Sequence, residues 1–191
     1  MKSRILIYIT AITLFAALPV RVRLVAQQQQ QKQPQQKQQQ QNQSEEQGDQ
    51  NKLVDIVRNA TNQYQDVANA TAAGYSPVLG CVCGSDHGAM GIHYVKASLL
   101  NGPIDATQPQ ALIYEPSSNG ELTLVGVEFI ILASALPPNA APQVEGHLML
   151  YVDAPNRYGL PAFFELHVWA WRDNPQGAFV DWNDHVTCAH Q

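Results

Sequence analysis

The stretch "FFELHVWAWRDN", Phe163–Asn174, places an acid and an imidazole, Glu165 and His167, two residues apart inside a run of strand-favouring residues. Residues two apart in a strand point to the same side of a sheet. Glu165, His167, Trp169 and Trp171 are therefore expected on one face, with Phe164, Leu166, Val168 and Ala170 on the other. Glu128 raises the same question in "LTLVGVEFIIL". A charged carboxylate buried there without a partner costs on the order of several kcal/mol or shifts its pKa upward. The partners available on other strands are His93 in "GIHYV", Glu115 in "IYEP", His147 in "GHLML", and the Glu165/His167 pair.

Imidazoles and carboxylates on separate strands can hold Zn²⁺, Mn²⁺ or Fe²⁺. The expected set is His93, Glu115, Glu128 and His167, with Glu165 and His147 behind it. The same residues would also serve as a structural hydrogen-bond network, and no HxH or HExxH spacing decides between the two. A second constellation lies in "CVCGSDHG" and the tail "HVTCAH". Cys81, Cys83, His87, His185, Cys188 and His190 are soft ligands for Zn²⁺ or Cu⁺ if the two ends meet. No Gly-rich phosphate loop, nucleophile elbow or Ser-His-Asp order is present, which leaves kinase and common hydrolase chemistry unsupported.

The elements that must position these groups begin after residue 50. Residues 1–26 have basic residues at Lys2 and Arg4 before an apolar run, the layout of a secretory signal. Cleavage is expected after Ala26. Arg21 and Arg23 keep a retained anchor, and with it a membrane attachment, as the alternative. Residues 27–50 are nearly all Gln with scattered charges and are expected to be a disordered tether, because they offer no apolar side chains to offset the entropy of ordering. Residues 51–191 form one domain.

That domain has five Lys and Arg against thirteen Asp and Glu. Nucleic acid and anionic membrane surfaces call for clustered positive charge, so neither is an expected partner. Lys52 to Ala73 is expected as one amphipathic helix with a stripe at Val54, Val57, Thr61, Tyr64, Ala68, Thr71 and Tyr75, stopped by Gly74. Two Asn-x-Thr triplets within it, at Asn59 and Asn69, are read as chance.

Strands are expected at Gly91–Val95, Ala111–Glu115, Leu122–Ala133, His147–Val152 and Ala162–Trp171. In the third, Leu122, Leu124, Glu128, Ile130 and Leu132 are expected on one face and Val125, Val127, Phe129 and Ile131 on the other. Both faces are apolar and one helix covers only one. The class expected is thus α+β, with a curled, mainly antiparallel sheet closed by a disulfide. Export makes a disulfide the default for cysteines. Cys81 with Cys188 is the preferred pair, and Cys83 in place of Cys81 remains open.

The blocks "GAMGIHYV", "ALIYEP", "LVGVEF", "NRYGLPAFFELHVWAW" and "DWNDHVTC" resemble a family of exported bacterial proteins of uncharacterised function. The resemblance implies a periplasmic or secreted location and transfers no catalytic residue. It also implies Ser in related chains where Cys83 stands, which favours the Cys81–Cys188 bridge over a Cys-x-Cys metal site. The function expected is an exported domain binding a divalent metal or small polar ligand in a His/Glu pocket, with enzymatic activity left open. The alternative is a non-catalytic envelope protein that holds a protein partner.

Overall fold

The computed structural model describes residues 37–44, 47–48, 52–84 and 88–191. The signal segment lies outside the described residues, as does His87. The chain divides into two compact units, Met1–Ser44 and Glu45–Gln191. In the first, residues 37–44 of the Gln-rich segment are helical with every side chain exposed.

The second unit opens with helix α1, residues 52–61, then a 3₁₀ turn at Asn62–Gln65 and helix α2, Val67–Ala72. The single helix expected from the periodicity is thus broken. Asp66 is extended, and its carboxylate accepts from the Ala68 amide at 2.9 Å as the cap of α2. Unwinding frees the Tyr64 carbonyl to accept the Tyr114 hydroxyl at 2.6 Å. The break also changes the buried phase. Leu53, Val57 and Thr61 are buried in α1, whereas in α2 it is Ala70, with Ala68 and Thr71 exposed. Gly74 ends the helix at φ +93°.

The strands are β1 (Ser76–Pro77), β2 (Val82–Cys83), β3 (Ala89–Val95), β4 (Ala111–Pro116), β5 (Leu122–Leu132), β6 (Gln143–Val144), β7 (His147–Leu148), β8 (Leu150–Val152) and β9 (Phe163–Val168). All but β6 and β7 build one antiparallel sheet, in the order β1-β3-β4-β5-β9-β8 with β2 also on β3. The expected strand His147–Val152 is divided at the buried Met149. Its first part turns back on β6 through Glu145 and Gly146, both at positive φ, and its second part pairs with β9.

The sheet is open, not curled. The expectation of curling assumed that only a second regular element could cover the second face, but irregular chain covers it. One face carries Leu112, Tyr114, Val127, Phe129, Leu166 and Val168 and packs on Leu53 and Val57 of α1. The other is covered at one end by Val186, against Ile113, Val125 and Trp169. At its other end Tyr158 and Leu100 pack on Ala111, Ile130 and Phe163. The C-terminal segment is pinned by reciprocal backbone hydrogen bonds between Ala89 and Asn183, both 3.2 Å, and by the Trp169 indole donating to the Val180 carbonyl at 2.6 Å.

A β-bulge corrects the expected faces of β5. Ile113 pairs with Gly126 but Tyr114 with Leu124, which leaves Val125 as an extra residue. The alternation flips there. Leu122 and Leu124 join Val127, Phe129 and Ile131 on the helix face, while Val125 joins the Glu128 face. Gly126 has no side chain at this point, and a Cβ would sit 2.9 Å from the Val168 carbonyl oxygen. Trp171 also leaves the expected face. The strand ends at Val168 with a tight turn, and the Trp171 indole donates to Thr61 Oγ1 at 3.1 Å on the helix side.

Cys81 and Cys188 are bridged across 107 residues and Cys83 is free and exposed. The bridge removes two thiols from the soft-ligand constellation, so a Cys-based metal site is not formed. No helix among the described residues is long and apolar enough to cross a membrane.

Candidate metal centre

The covered face has a polar gap between its two apolar ends, and strand register fills it. Glu128 lies directly opposite His167, and Glu165 opposite Ile130, on the adjacent strands β5 and β9. Two residues along β9, Glu165 shares the His167 face, as the period-2 reading expects. His93 comes from β3, on the far side of β4. Strands two apart are separated by roughly 10 Å, so two long side chains can meet only over a small residue between them. Ala111, fully buried, is opposite Glu128 and Val95, while His93 is opposite Ile113. His93 Nε2 lies 3.4 Å from Glu128 Oε2, a diagonal contact past the small Ala111. Within β3, Gly91 at φ +96° lets the strand approach β4, where a Cβ would meet the Tyr114 carbonyl oxygen at 2.8 Å.

The fifth group is Asp181, brought over the sheet by the C-terminal segment. Its Oδ1 lies 3.6 Å from His167 Nδ1. The rings of His93 and His167 meet edge to face with centroids 5.8 Å apart, and His167 stacks on Trp169 at 6.0 Å. Donor atoms of His93, Glu128 and His167 all lie within 4.8 Å of one another, as do those of Glu165, His167 and Asp181. The first three are buried, His167 at 1 % exposure.

These imidazoles are not satisfied by the protein. Neither ring nitrogen of His167 has a hydrogen-bond partner, and neither does His93 Nδ1. The Gly91 carbonyl acts on the His93 ring but falls short of hydrogen-bond geometry with Nδ1. Among the described residues Asp181 Oδ1 and Arg172 Nε are also without a partner, whereas several other buried polar side chains are paired. Gln110 accepts from the Ile130 amide, Asn174 donates to the Trp182 carbonyl, and Asn183 accepts from the His185 amide. Buried polar groups left without protein partners are rare and mark a strain, an ordered water, an ion or a ligand.

Electrostatics point the same way. Burial pushes Glu128 well above the ordinary carboxyl range, reinforced by the neighbouring charges of Glu165 and Asp181 and by a hydrogen bond with Glu165. Burial also raises Glu165, against the pull of His167. Two hydrogen-bonded carboxyl groups must share a proton. Burial and the nearby His167 hold His93 down to about 3. The site thus concentrates acids with only imidazoles facing them, an arrangement a cation would neutralise.

Two expected members lie elsewhere. Glu115 sits on the Ile113 side of β4 but four residues beyond Ala111, roughly 13 Å along the strand. There it pairs with Arg172 and accepts from the Thr187 amide at 2.9 Å. His147, on the β6–β7 hairpin, lies against Phe179 with ring centroids 4.3 Å apart. Conversely, Asp181 and Tyr158 escaped the sequence reading. Both are in irregular segments, where no periodicity assigns a direction to a side chain.

Comparison with known proteins finds no matching family model, no match among curated proteins and none among solved structures.

Proposed function

We propose that the domain binds a divalent transition-metal ion through His93, Glu128 and His167. The observation that carries this is the convergence of buried, unpartnered imidazole nitrogens with a buried carboxylate on one point. A structural hydrogen-bond network would satisfy those nitrogens. Two imidazoles and one carboxylate are a donor set suited to Fe²⁺, Mn²⁺ or Zn²⁺ and leave coordination positions open. Asp181 faces His167 Nδ1, which leaves Nε2 for the ion. In this arrangement Asp181 orients the ring and raises its basicity, as second carboxylates do beside metal-bound histidines. Glu165, sharing a proton with Glu128 in the metal-free state, supplies a further acid beside the ion. An open position next to such an acid can activate a bound water or polarise a substrate oxygen.

The location that fits is outside the cytoplasm, supported by the Cys81–Cys188 bridge and the signal-like start, and in keeping with the resemblance to exported bacterial proteins. The alternative role as an envelope binding protein has one observation behind it. Leu148, Leu150 and Tyr151 are exposed along the β7–β8 edge, apolar surface of the kind partners cover.

The test is metal analysis of the full chain purified without chelators, followed by titration of the stripped protein with Zn²⁺, Mn²⁺ and Fe²⁺. One ion bound per chain, with a rise in melting temperature, is expected. Absence of uptake and of any thermal response would remove the metal assignment.

A further inference from the structure

His93, Glu128 and Glu165 form the polar end of a cavity of about 50 Å³. Its walls are otherwise apolar, among them Met90, Ile130 and Phe163. It reaches the surface beside Val78 and Leu160, which are 53 % and 37 % exposed. At roughly 10–15 Å³ for each water-sized group, the space holds a ligand of about four heavy atoms. One polar group stands among the walls. Tyr158 lines the cavity, and among the described residues its hydroxyl donates to Met90 Sδ, another lining residue, at 3.5 Å, where a thioether is a weak acceptor.

We infer that this cavity takes a small aliphatic carbonyl compound whose oxygen binds the metal and accepts a hydrogen bond from Tyr158. The inference rests on the metal assignment above. A carbonyl oxygen has two lone pairs and no proton, which matches one cation and one donor. Apolar walls match a short hydrocarbon remainder. The corresponding acid is disfavoured: Glu128 and the nearby Asp181 already offset the two charges of the ion, so a carboxylate ligand would leave a net negative site against apolar walls. The polarity of the cavity therefore selects a neutral ketone, aldehyde or amide.

The full chain loaded with Co²⁺ reports on the open coordination position through its visible absorption. Titration with acetone, which has four heavy atoms, should shift that spectrum, and 2-butanone, one heavy atom larger than the space, should bind no more tightly. Acetate, the same size as acetone, should bind more weakly than acetone. Tyr158→Phe should weaken ketone binding about two- to tenfold while leaving Co²⁺ affinity unchanged. Leu160→Trp, at the exposed mouth, should block ketones and also spare the metal. Acetone that leaves the Co²⁺ spectrum unmoved, tighter binding of acetate than of acetone, or a Tyr158→Phe protein with unchanged ketone affinity would each overturn the inference while the metal site stands. A chain that takes up no Co²⁺ would overturn both.

Discussion

His93 on β3 and Glu128 on β5 meet at 3.4 Å across the intervening strand β4, where Glu128 is opposite the small Ala111 and His93 is opposite Ile113. This contact ties the first long strand of the sheet to its centre on the covered face. It also brings one imidazole to within reach of a second, His167, that pairs directly with Glu128.

Glu128→Gln should destabilise the metal-free protein by about 1–3 kcal/mol by weakening the contact with His93 Nε2, and His167→Ala by a similar amount through lost packing on His93 and Trp169. The double variant should lose clearly less than the sum. Added Zn²⁺ should raise the melting temperature of the wild type and of neither single variant. Additive losses, with no metal response in any of the proteins, would mean that the two residues do not share a site.

Asp181 is a positioning residue for His167. Asp181→Asn should lower metal affinity about 10- to 100-fold with little change in the melting temperature of the metal-free chain. Asp181→Glu should recover part of that affinity. If Asp181→Asn binds Zn²⁺ as tightly as the wild type, the carboxylate does not orient the ring.

Glu115→Gln should leave metal affinity unchanged. Its carboxylate holds Arg172 and the Thr187 amide, at the far end of β4 from Glu128. Competition for Zn²⁺ against a chromogenic chelator checks this, and a tenfold loss would return Glu115 to the site.

In the metal-free protein His93 and Glu128 should pull stability in opposite directions with pH. His93 is held at about 3 in the fold, below its unfolded value of about 6.5, so its contribution is present above the latter and lost as pH falls. Glu128 is raised above its unfolded value of about 4.3, so its contribution is lost as pH rises through the folded value. Glu128→Gln should therefore steepen the rise of stability with pH in thermal melts of the chelator-treated protein, because the His93 contribution is then unopposed. With metal bound, the ligands must be deprotonated and stability rises with pH. A Glu128→Gln protein with the same pH dependence as the wild type would contradict the assignment.

Reduction of Cys81–Cys188 should destabilise the domain by about 4–5 kcal/mol, as expected for closing a loop of 107 residues. Mass mapping of the unreduced chain should show alkylation at Cys83 alone. Modified Cys81 with Cys83 in the bridge would reverse the pairing.

Alternation within β9 put Glu165 and His167 on one face from the sequence alone, because the two-residue period of a strand is a property of the local backbone. The strand cores of β3, β4 and β5 and the stop at Gly74 were legible for the same local reason. Sequence order and an expected export pointed to a bridge from Cys188 to the Cys81/Cys83 loop, and only the fold chose Cys81. What only the tertiary structure decided is everything that depends on which segments meet. The bulge at Val125 reversed half of β5, a shift that hydrogen bonding to β4 imposes and that the residues of β5 do not announce. Glu115 shares a face with the site yet stands four residues too far along β4, since register fixes distance where alternation fixes only side. Asp181 and Tyr158 enter from irregular chain, whose side-chain directions come from long-range packing alone. That same chain covers the second face of the sheet, so the sheet stays open where a count of regular elements demanded that it curl.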